Sequence, residues 1–279
     1  MNLLSNFVLE HLHKKPILLD VFYNANKQKK PLLIFAHGFK GFKDWGHFNA
    51  LGAHLATKDL VFVKFNFSHN GTTVQHPDSF EDLEAFGNNN YTLELDDLKR
   101  VMDWALLEAP LQEEIDHERL YLLGHSRGGG ICIIKAAEDP RVKKLVTWAS
   151  VCDFLNRNKK KTIETWQRDG VVYATNARTK QKMPLYYQFF EDQQNNKERF
   201  HIVRAAKSLT IPFLIIHGTA DEAVEVAEAQ HLHQAAKLSE LFLVEGAGHT
   251  FDVKHPFQES NFPAHAQRVI DKTIEFLKE

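Results

Sequence analysis

The stretch Leu120–Gly130, LYLLGHSRGGG, decides the fold. It begins with an apolar run typical of a buried strand and ends in residues that open a helical pattern. Between them lies GHSRG at 124–128, a GxSxG pentapeptide. A sharp strand-to-helix turn at this place strains the central serine and exposes its hydroxyl, and small residues two positions away on each side let strand and helix approach closely. The pattern predicts that Ser126 is a nucleophile.

A serine hydroxyl needs a neighbouring base, and two later segments offer a base and an acid. Asp221 follows the apolar run 211–217, and His249 follows the next run, 240–244. This is the chain order serine, acid, histidine, with each residue placed after a strand at the carboxyl edge of the predicted sheet. The spacing predicts that His249 takes the proton of Ser126 and that Asp221 orients the imidazole. Taken singly, Asp221 also suits a helix cap and His249 a solvated loop.

Other acids compete for the position of Asp221. Asp153 follows the strand candidate 142–149, and some proteins of comparable architecture recruit the acid from that edge. Glu222 and Asp252 are weaker alternatives.

The oxyanion of a tetrahedral intermediate needs two backbone N–H donors. The residue after the nucleophile, Arg127, is expected to supply one. The loop after the strand candidate 31–36 begins with His37-Gly38-Phe39, and Phe39 is the candidate for the second donor. The alternative interpretation of these three residues is an ordinary tight turn.

Apolar runs alternate with amphipathic stretches, which predicts an α/β fold. The prediction is one domain, residues 1–279, with a mostly parallel central sheet of about eight strands and helices on both faces. The predicted strands are 7–12 and 17–23 (a hairpin), 31–36, 60–65, 119–123, 142–149, 211–217 and 240–244. The predicted helices are 45–57, 91–107, 126–138, 224–236 and 263–277, and 69–90 is predicted to be loop.

Residues 153–207 interrupt this alternation, and we call them the cap segment. The sequence predicts that they fold over the carboxyl edge of the sheet. Aromatic residues in the cap segment either line a substrate pocket or form its own small core, and the pocket candidates are Trp166, Tyr186, Tyr187 and Phe189.

The amino-acid composition argues against two kinds of partner. The 279 residues are 43% hydrophobic and 25% charged with a net charge of −2, which disfavours nucleic acid or an anionic membrane as the main partner.

The two cysteines, Cys132 and Cys152, are predicted to be buried thiols. The N-terminus has no signal-peptide pattern and no segment reaches eighteen apolar residues, so we expect a cytoplasmic protein with no membrane span. The sixteen histidines form no metal-ligand motif, and we expect neither a metal nor another cofactor.

Together, His37-Gly38, GHSRG at 124–128, HGTAD at 217–221 and Gly248-His249 resemble the motifs of the α/β-hydrolase superfamily. They span nearly the whole chain in the expected order. Within the superfamily the sequence is similar to the bacterial esterase and dienelactone-hydrolase-like branch, close to the catalytic domains of prolyl oligopeptidases. The cap segment follows the sixth predicted strand, where feruloyl (cinnamoyl) esterases carry a small lid.

The resemblance and the residues imply hydrolysis of a small carboxylic ester through an acyl-enzyme. A peptidase or a thioesterase would use the same three residues, so these alternatives stay open. A catalytically silent ligand-binding protein on the same scaffold is a further alternative, although such proteins usually lack one member of the triad. Serine at 126 argues against an epoxide hydrolase or a haloalkane dehalogenase, which place aspartate there.

Overall fold

A computed structural model describes all residues, 1–279, and contains one eight-stranded sheet and one two-stranded sheet. The large sheet has the order β1-β2-β4-β3-β5-β6-β9-β10. Its strands are β1 (Asn2–Leu9), β2 (Ile17–Tyr23), β3 (Lys30–Ala36), β4 (Val61–Phe65), β5 (Ile115–His125), β6 (Val142–Trp148), β9 (Phe213–Gly218) and β10 (Ser239–Val244). The small sheet pairs β7 (Val171–Thr175) with β8 (Lys182–Tyr186).

Parallel pairing dominates the large sheet. Only β1 with β2 and β2 with β4 run antiparallel within it, so its six parallel strands present their carboxyl ends at a common edge; they are β3, β4, β5, β6, β9 and β10. The α/β class and the mostly parallel eight-stranded sheet are therefore confirmed. The antiparallel hairpin at the start is confirmed as well, with a first strand that begins at Asn2 rather than at residue 7.

Helices cover both faces of the large sheet. They are α1 (Phe48–Ala56), α2 (Leu83–Gly87), α3 (Tyr91–Leu107), α4 (Arg127–Glu138), α5 (Lys160–Asp169), α6 (Gln188–Asn195), α7 (Ile202–Ser208), α8 (Val226–Ala235) and α9 (Ala264–Lys278). Apolar side chains of α1 and α9 form the core on one face, and those of α3, α4, α7 and α8 form the core on the other. None of the nine helices has the length and apolar character that a bilayer crossing requires.

One prediction of an element was wrong. The stretch predicted to be loop, 69–90, contains the short helix α2, which begins after Asp82, whose side chain accepts a hydrogen bond from the Ala85 N–H at 2.9 Å. Five residues are too few to produce a recognisable helical period, and the capping aspartate was its only local signal. Both cysteines are buried and unpaired, as predicted.

The cap segment contains α5, the β7–β8 hairpin, α6 and most of α7. The Trp166 indole is buried between these elements and donates from Nε1 to the carbonyl oxygen of Leu185 at 2.7 Å. The turn of the hairpin reaches back toward the carboxyl edge of the large sheet, where Lys40 donates from Nζ to the Thr175 carbonyl oxygen at 2.9 Å. We retain the division into one domain with an inserted cap as our interpretation of the chain.

Candidate active site

Ser126 occupies the turn between β5 and α4 with φ 56° and ψ −120°. A non-glycine residue in this region is strained by about 1–3 kcal/mol, and such strain clusters at functional sites. The glycines on either side make the turn possible. A Cβ at Gly124 would lie 2.4 Å from the Gly128 carbonyl oxygen, and one at Gly128 would lie 2.2 Å from that of Ala36.

His249 and Asp221 meet beside this turn. Nδ1 of His249 donates to Oδ2 of Asp221 at 2.8 Å. That bond assigns the proton of the neutral ring to Nδ1 and leaves Nε2 free to accept one. The His249 ring and Ser126 line the same cleft of about 560 Å³, within which the hydroxyl of Ser126 has no hydrogen-bond partner.

Both carboxylate oxygens of Asp221 accept hydrogen bonds. Oδ1 accepts the backbone N–H groups of Ala223 and Val224, each at 2.9 Å. Oδ2 lies 3.3 Å from Nε2 of His217 in addition to its bond with His249. Burial by itself would raise the pKa of this carboxyl, but the hydrogen bonds from His217, His249 and the Val224 N–H outweigh it and hold the pKa far below its usual range. Asp221 is therefore an anion at neutral pH.

The candidate oxyanion donors are free. The backbone N–H groups of Phe39 and Arg127 make no hydrogen bond with another group of the protein. Gly38 lies against Ser126, since a Cβ at Gly38 would come within 2.9 Å of the Ser126 Cβ. The two donors thus flank the turn that carries the serine.

His37 orients one of these donors. Its Nδ1 donates to the Gly38 carbonyl oxygen at 2.8 Å, and the Gly41 N–H donates to the same oxygen at 3.0 Å. In a planar trans peptide the C=O and the following N–H point in opposite directions. Holding the Gly38 oxygen therefore directs the Phe39 N–H away from these partners. Burial lowers the pKa of His37 to about 4, so the ring is neutral at physiological pH.

His125 supports the loop that carries His249. Its Nε2 donates to the His249 carbonyl oxygen at 3.0 Å, and the two ring centroids are 4.9 Å apart. Burial and the neighbouring His249 lower the pKa of His125 to about 3. A second charged imidazole beside the base is thereby disfavoured.

The cap segment contributes other residues to the cleft than the four predicted ones. Asn176, Ala177 and Arg178 at the hairpin turn line it, as does Arg157. The four aromatic candidates lie outside the cleft. Trp166 and Phe189 are buried in the core of the cap segment, Tyr187 packs against Trp166, and the Tyr186 hydroxyl donates to Oε2 of Glu84 at 2.6 Å.

The rival acids are engaged elsewhere. Asp153 accepts the backbone N–H groups of Leu155 and Asn156, Asp252 pairs with His265, and Glu222 is exposed. None of them forms a hydrogen bond or an ion pair with His249, whose ring pairs with Asp221.

Sequence reasoning missed His37, His125 and His217 as supports of the site. Each is itself part of one of the motifs, since His37 begins His37-Gly38, His125 lies in GHSRG and His217 begins HGTAD, so membership of a motif was the available signal. Their hydrogen bonds, however, run between segments far apart in the chain or depend on local peptide orientation, which a linear pattern does not encode.

The chain is similar to known proteins in sequence and in fold. Residues 88–253 match the family model described as alpha/beta hydrolase fold. A curated protein of Escherichia coli, an uncharacterized 31.7 kDa protein in the traX-finO intergenic region, is 28% identical over 148 residues. That match covers 52% of this chain and 46% of the relative, less than half of its length.

Two solved structures are similar over nearly the whole chain. Est1E from Butyrivibrio proteoclasticus, solved with bound ferulic acid, is 20% identical with a TM-score of 0.74 and covers 98% of both chains. The esterase domain of a Rhodothermus marinus protein is 19% identical with a TM-score of 0.66, covering 99% of this chain and 98% of the other. At such identities the similarity concerns the fold. With more than half of the chain matched by the family model, this protein belongs to the α/β-hydrolase family.

Proposed function

We propose that this chain is a serine hydrolase that cleaves small carboxylic esters through an acyl-enzyme. The observation that carries the proposal is the 2.8 Å hydrogen bond between His249 Nδ1 and Asp221. His249 lines the same cleft as Ser126, whose backbone is strained. The esterases among the structural relatives support an ester as the substrate.

The reaction follows from the roles of these groups. Ser126 Oγ attacks the ester carbonyl carbon while its proton passes to Nε2 of His249, and the charge of Asp221 stabilises the imidazolium. The negative oxygen of the tetrahedral intermediate accepts hydrogen bonds from the Phe39 and Arg127 N–H groups. His249 then gives the proton to the departing alcohol. A water molecule repeats the sequence on the acyl-enzyme and releases the carboxylic acid.

Labelling of the nucleophile tests the proposal. We expect a fluorophosphonate probe to label the wild type but not Ser126→Ala, and p-nitrophenyl acetate hydrolysis to fall by about 10³-fold or more in that variant. Ser208→Ala is the matched control, because the Ser208 hydroxyl bonds only the carbonyl oxygen of Ala205 on the surface of α7. Equal labelling of wild type and Ser126→Ala would refute the assignment.

A panel of leaving groups distinguishes the ester from the alternatives. Acetate esters, a thioester and an anilide presented to the wild type compare esterase, thioesterase and peptidase chemistry on one acyl group. We expect the highest kcat/KM on the ester.

A further inference from the structure

We infer that the cleft selects esters that carry a second, negatively charged group, a carboxylate on the acyl or the alcohol part. The inference rests on the proposed function and deepens it. Four cationic side chains line the cleft and no aspartate or glutamate does; the four are Lys40, Arg127, Arg157 and Arg178.

Two of these cations already have carboxylate partners. Arg157 makes a forked pair with Glu228, with three N–O distances of 3.0–3.1 Å. Arg127 lies 3.3 Å from Oε1 of the buried Glu94 and stacks on the Phe39 ring, 4.0 Å from its centroid. Both partners stand behind the arginines rather than in the cleft. These two arginines are thus held in place by carboxylates that lie outside the cleft.

The other two cations have no such partner. Lys40 and Arg178 make no ion pair in this structure, and the ammonium of Lys40 donates only to the Thr175 carbonyl oxygen. Burial, followed by the positive charge of Arg127, lowers the pKa of the Lys40 ammonium. A group whose own cationic neighbour disfavours its charge gains from an arriving anion.

The positions of Lys40 and Arg178 suit substrate recognition. Lys40 directly follows the oxyanion donor Phe39 and has a positive φ of 58°, a strained backbone for a lysine. Arg178 is exposed at the hairpin turn, where its backbone N–H is held by Asn176 Oδ1 at 3.0 Å. The Lys40 bond to Thr175 ties this turn to the oxyanion loop. The two unpaired cations therefore border the same cleft from the sheet side and from the cap side.

A carboxylate is the anion that this arrangement fits. An arginine fork at an open cleft mouth can bind a carboxylate through two parallel hydrogen bonds, and an adjacent ammonium adds a point charge. A neutral ester of the same shape would leave both cations unpaired. We expect the charged ester to be preferred, and the preference to weaken as salt is added.

Two matched pairs of esters test the inference. Mono-p-nitrophenyl glutarate against p-nitrophenyl valerate places the charge on the acyl part, and 4-acetoxybenzoate against its methyl ester places it on the alcohol part. We expect kcat/KM to be at least about tenfold higher for the charged member of one pair, the size of one charge-assisted hydrogen bond. We expect Arg178→Gln to reduce that ratio about tenfold and Arg178→Lys to restore part of it. Arg168→Gln is the control, since Arg168 lies in the cap segment outside the cleft.

A binding measurement separates this inference from the proposed function. In the Ser126→Ala background, isothermal titration with mono-p-nitrophenyl glutarate and with 4-acetoxybenzoate should give weaker binding of the preferred ester when Arg178→Gln is added. That result would support the subsite even if no ester were hydrolysed. A ratio near one in both ester pairs, or binding and ratios unaffected by Arg178→Gln, would overturn the inference.

Discussion

At the scale of single residues, Asp221 carries the largest share of the site's organisation. One carboxylate oxygen is held by two backbone N–H groups and the other faces two imidazoles. Because His217 also donates from Nε2 to the Val224 carbonyl oxygen at 2.9 Å, it ties the end of this loop, just before α8, to the strand that precedes Asp221. His217 is fully buried and lies outside the cleft, so it acts on the reaction only through Asp221.

Replacing His217 tests this role as a positioning residue. We expect His217→Phe to lower kcat about tenfold while KM changes little, because the orientation of Asp221 is disturbed and the cleft is not. The pKa of Asp221 should rise toward its ordinary value once this donor is gone, which NMR titration of the carboxyl would measure. His233→Phe serves as the control, since His233 bonds only Ser239 on the surface. A rise in KM with unchanged kcat would contradict the assignment.

Gly38 offers a steric test at the same scale. A methyl group there would meet Ser126 Cβ at 2.9 Å and the His125 carbonyl oxygen at 3.2 Å. We expect Gly38→Ala to displace the oxyanion turn and lower kcat on p-nitrophenyl acetate at least about 10²-fold, comparable with the loss of one oxyanion donor. Gly170→Asn is the matched control, because Gly170 has φ 74° with no atom near its Cβ position and asparagine tolerates that backbone. Near-normal activity in Gly38→Ala would count against an oxyanion role for the turn.

At the scale of elements, a buried ionic cluster holds the loop of Phe39, the proposed oxyanion donor, against the sheet. Asp20 on β2 and Lys64 on β4 lie 2.7 Å apart, and Lys43 and Asp44 of the loop after β3 complete the cluster. Lys43 Nζ is 2.8 Å from Asp20, and its backbone N–H donates to Asn66 Oδ1 at 2.6 Å. The loop that carries Phe39 is therefore anchored to two neighbouring strands.

Removal of one member of the cluster is expected to be strongly destabilising. Asp20→Ala leaves two buried lysines with one shared carboxylate, and we expect the free energy of unfolding to fall by about 3–5 kcal/mol. Urea unfolding at neutral pH measures it. Asp169→Ala, which removes the exposed partner of Arg168, should leave the free energy of unfolding nearly unchanged, because solvent screens exposed ion pairs. Equal effects of the two substitutions would show that the cluster contributes little.

At the scale of the whole molecule, three buried histidines couple stability to pH. Burial lowers the pKa of His37 and His47 to about 4 and that of His125 to about 3. In the unfolded chain each takes up a proton near pH 6.5. The unfolded state therefore binds more protons below that pH, and stability falls as the pH drops. Asp97, whose pKa burial raises to about 6, and Glu94, whose pKa burial also raises, act in the opposite direction.

We expect the urea midpoint of the wild type to decrease steadily between pH 6.5 and pH 4. His47→Leu should show a weaker decrease, because both ring nitrogens of His47 are buried without partners and the substitution removes one of the three coupled groups. The comparison needs only equilibrium unfolding by circular dichroism at several pH values. An equal decrease of the urea midpoint with pH in the two proteins would show that His47 does not contribute to the pH dependence of stability.

Much of the architecture was predictable because it depends on residues that are close together in the chain. The strand runs, the helix at Tyr91–Leu107 and the GxSxG turn each depend on side chains within a few positions of one another. The short helix α2 and the location of the cap aromatics were not predictable in this way. Aromatic content does not distinguish a pocket lining from a local core, since both bury the same apolar area.

The sequence by itself determined the α/β class, the order of the strands along the chain and the three candidate residues at strand ends, because parallel strands bring their carboxyl ends to one edge. Only the tertiary structure decided which acid faces His249, which side chains line the cleft and where the cations lack partners. These depend on distances between segments far apart in the chain, such as Lys40 and Thr175, which are 135 residues apart, and no local pattern sets such a distance.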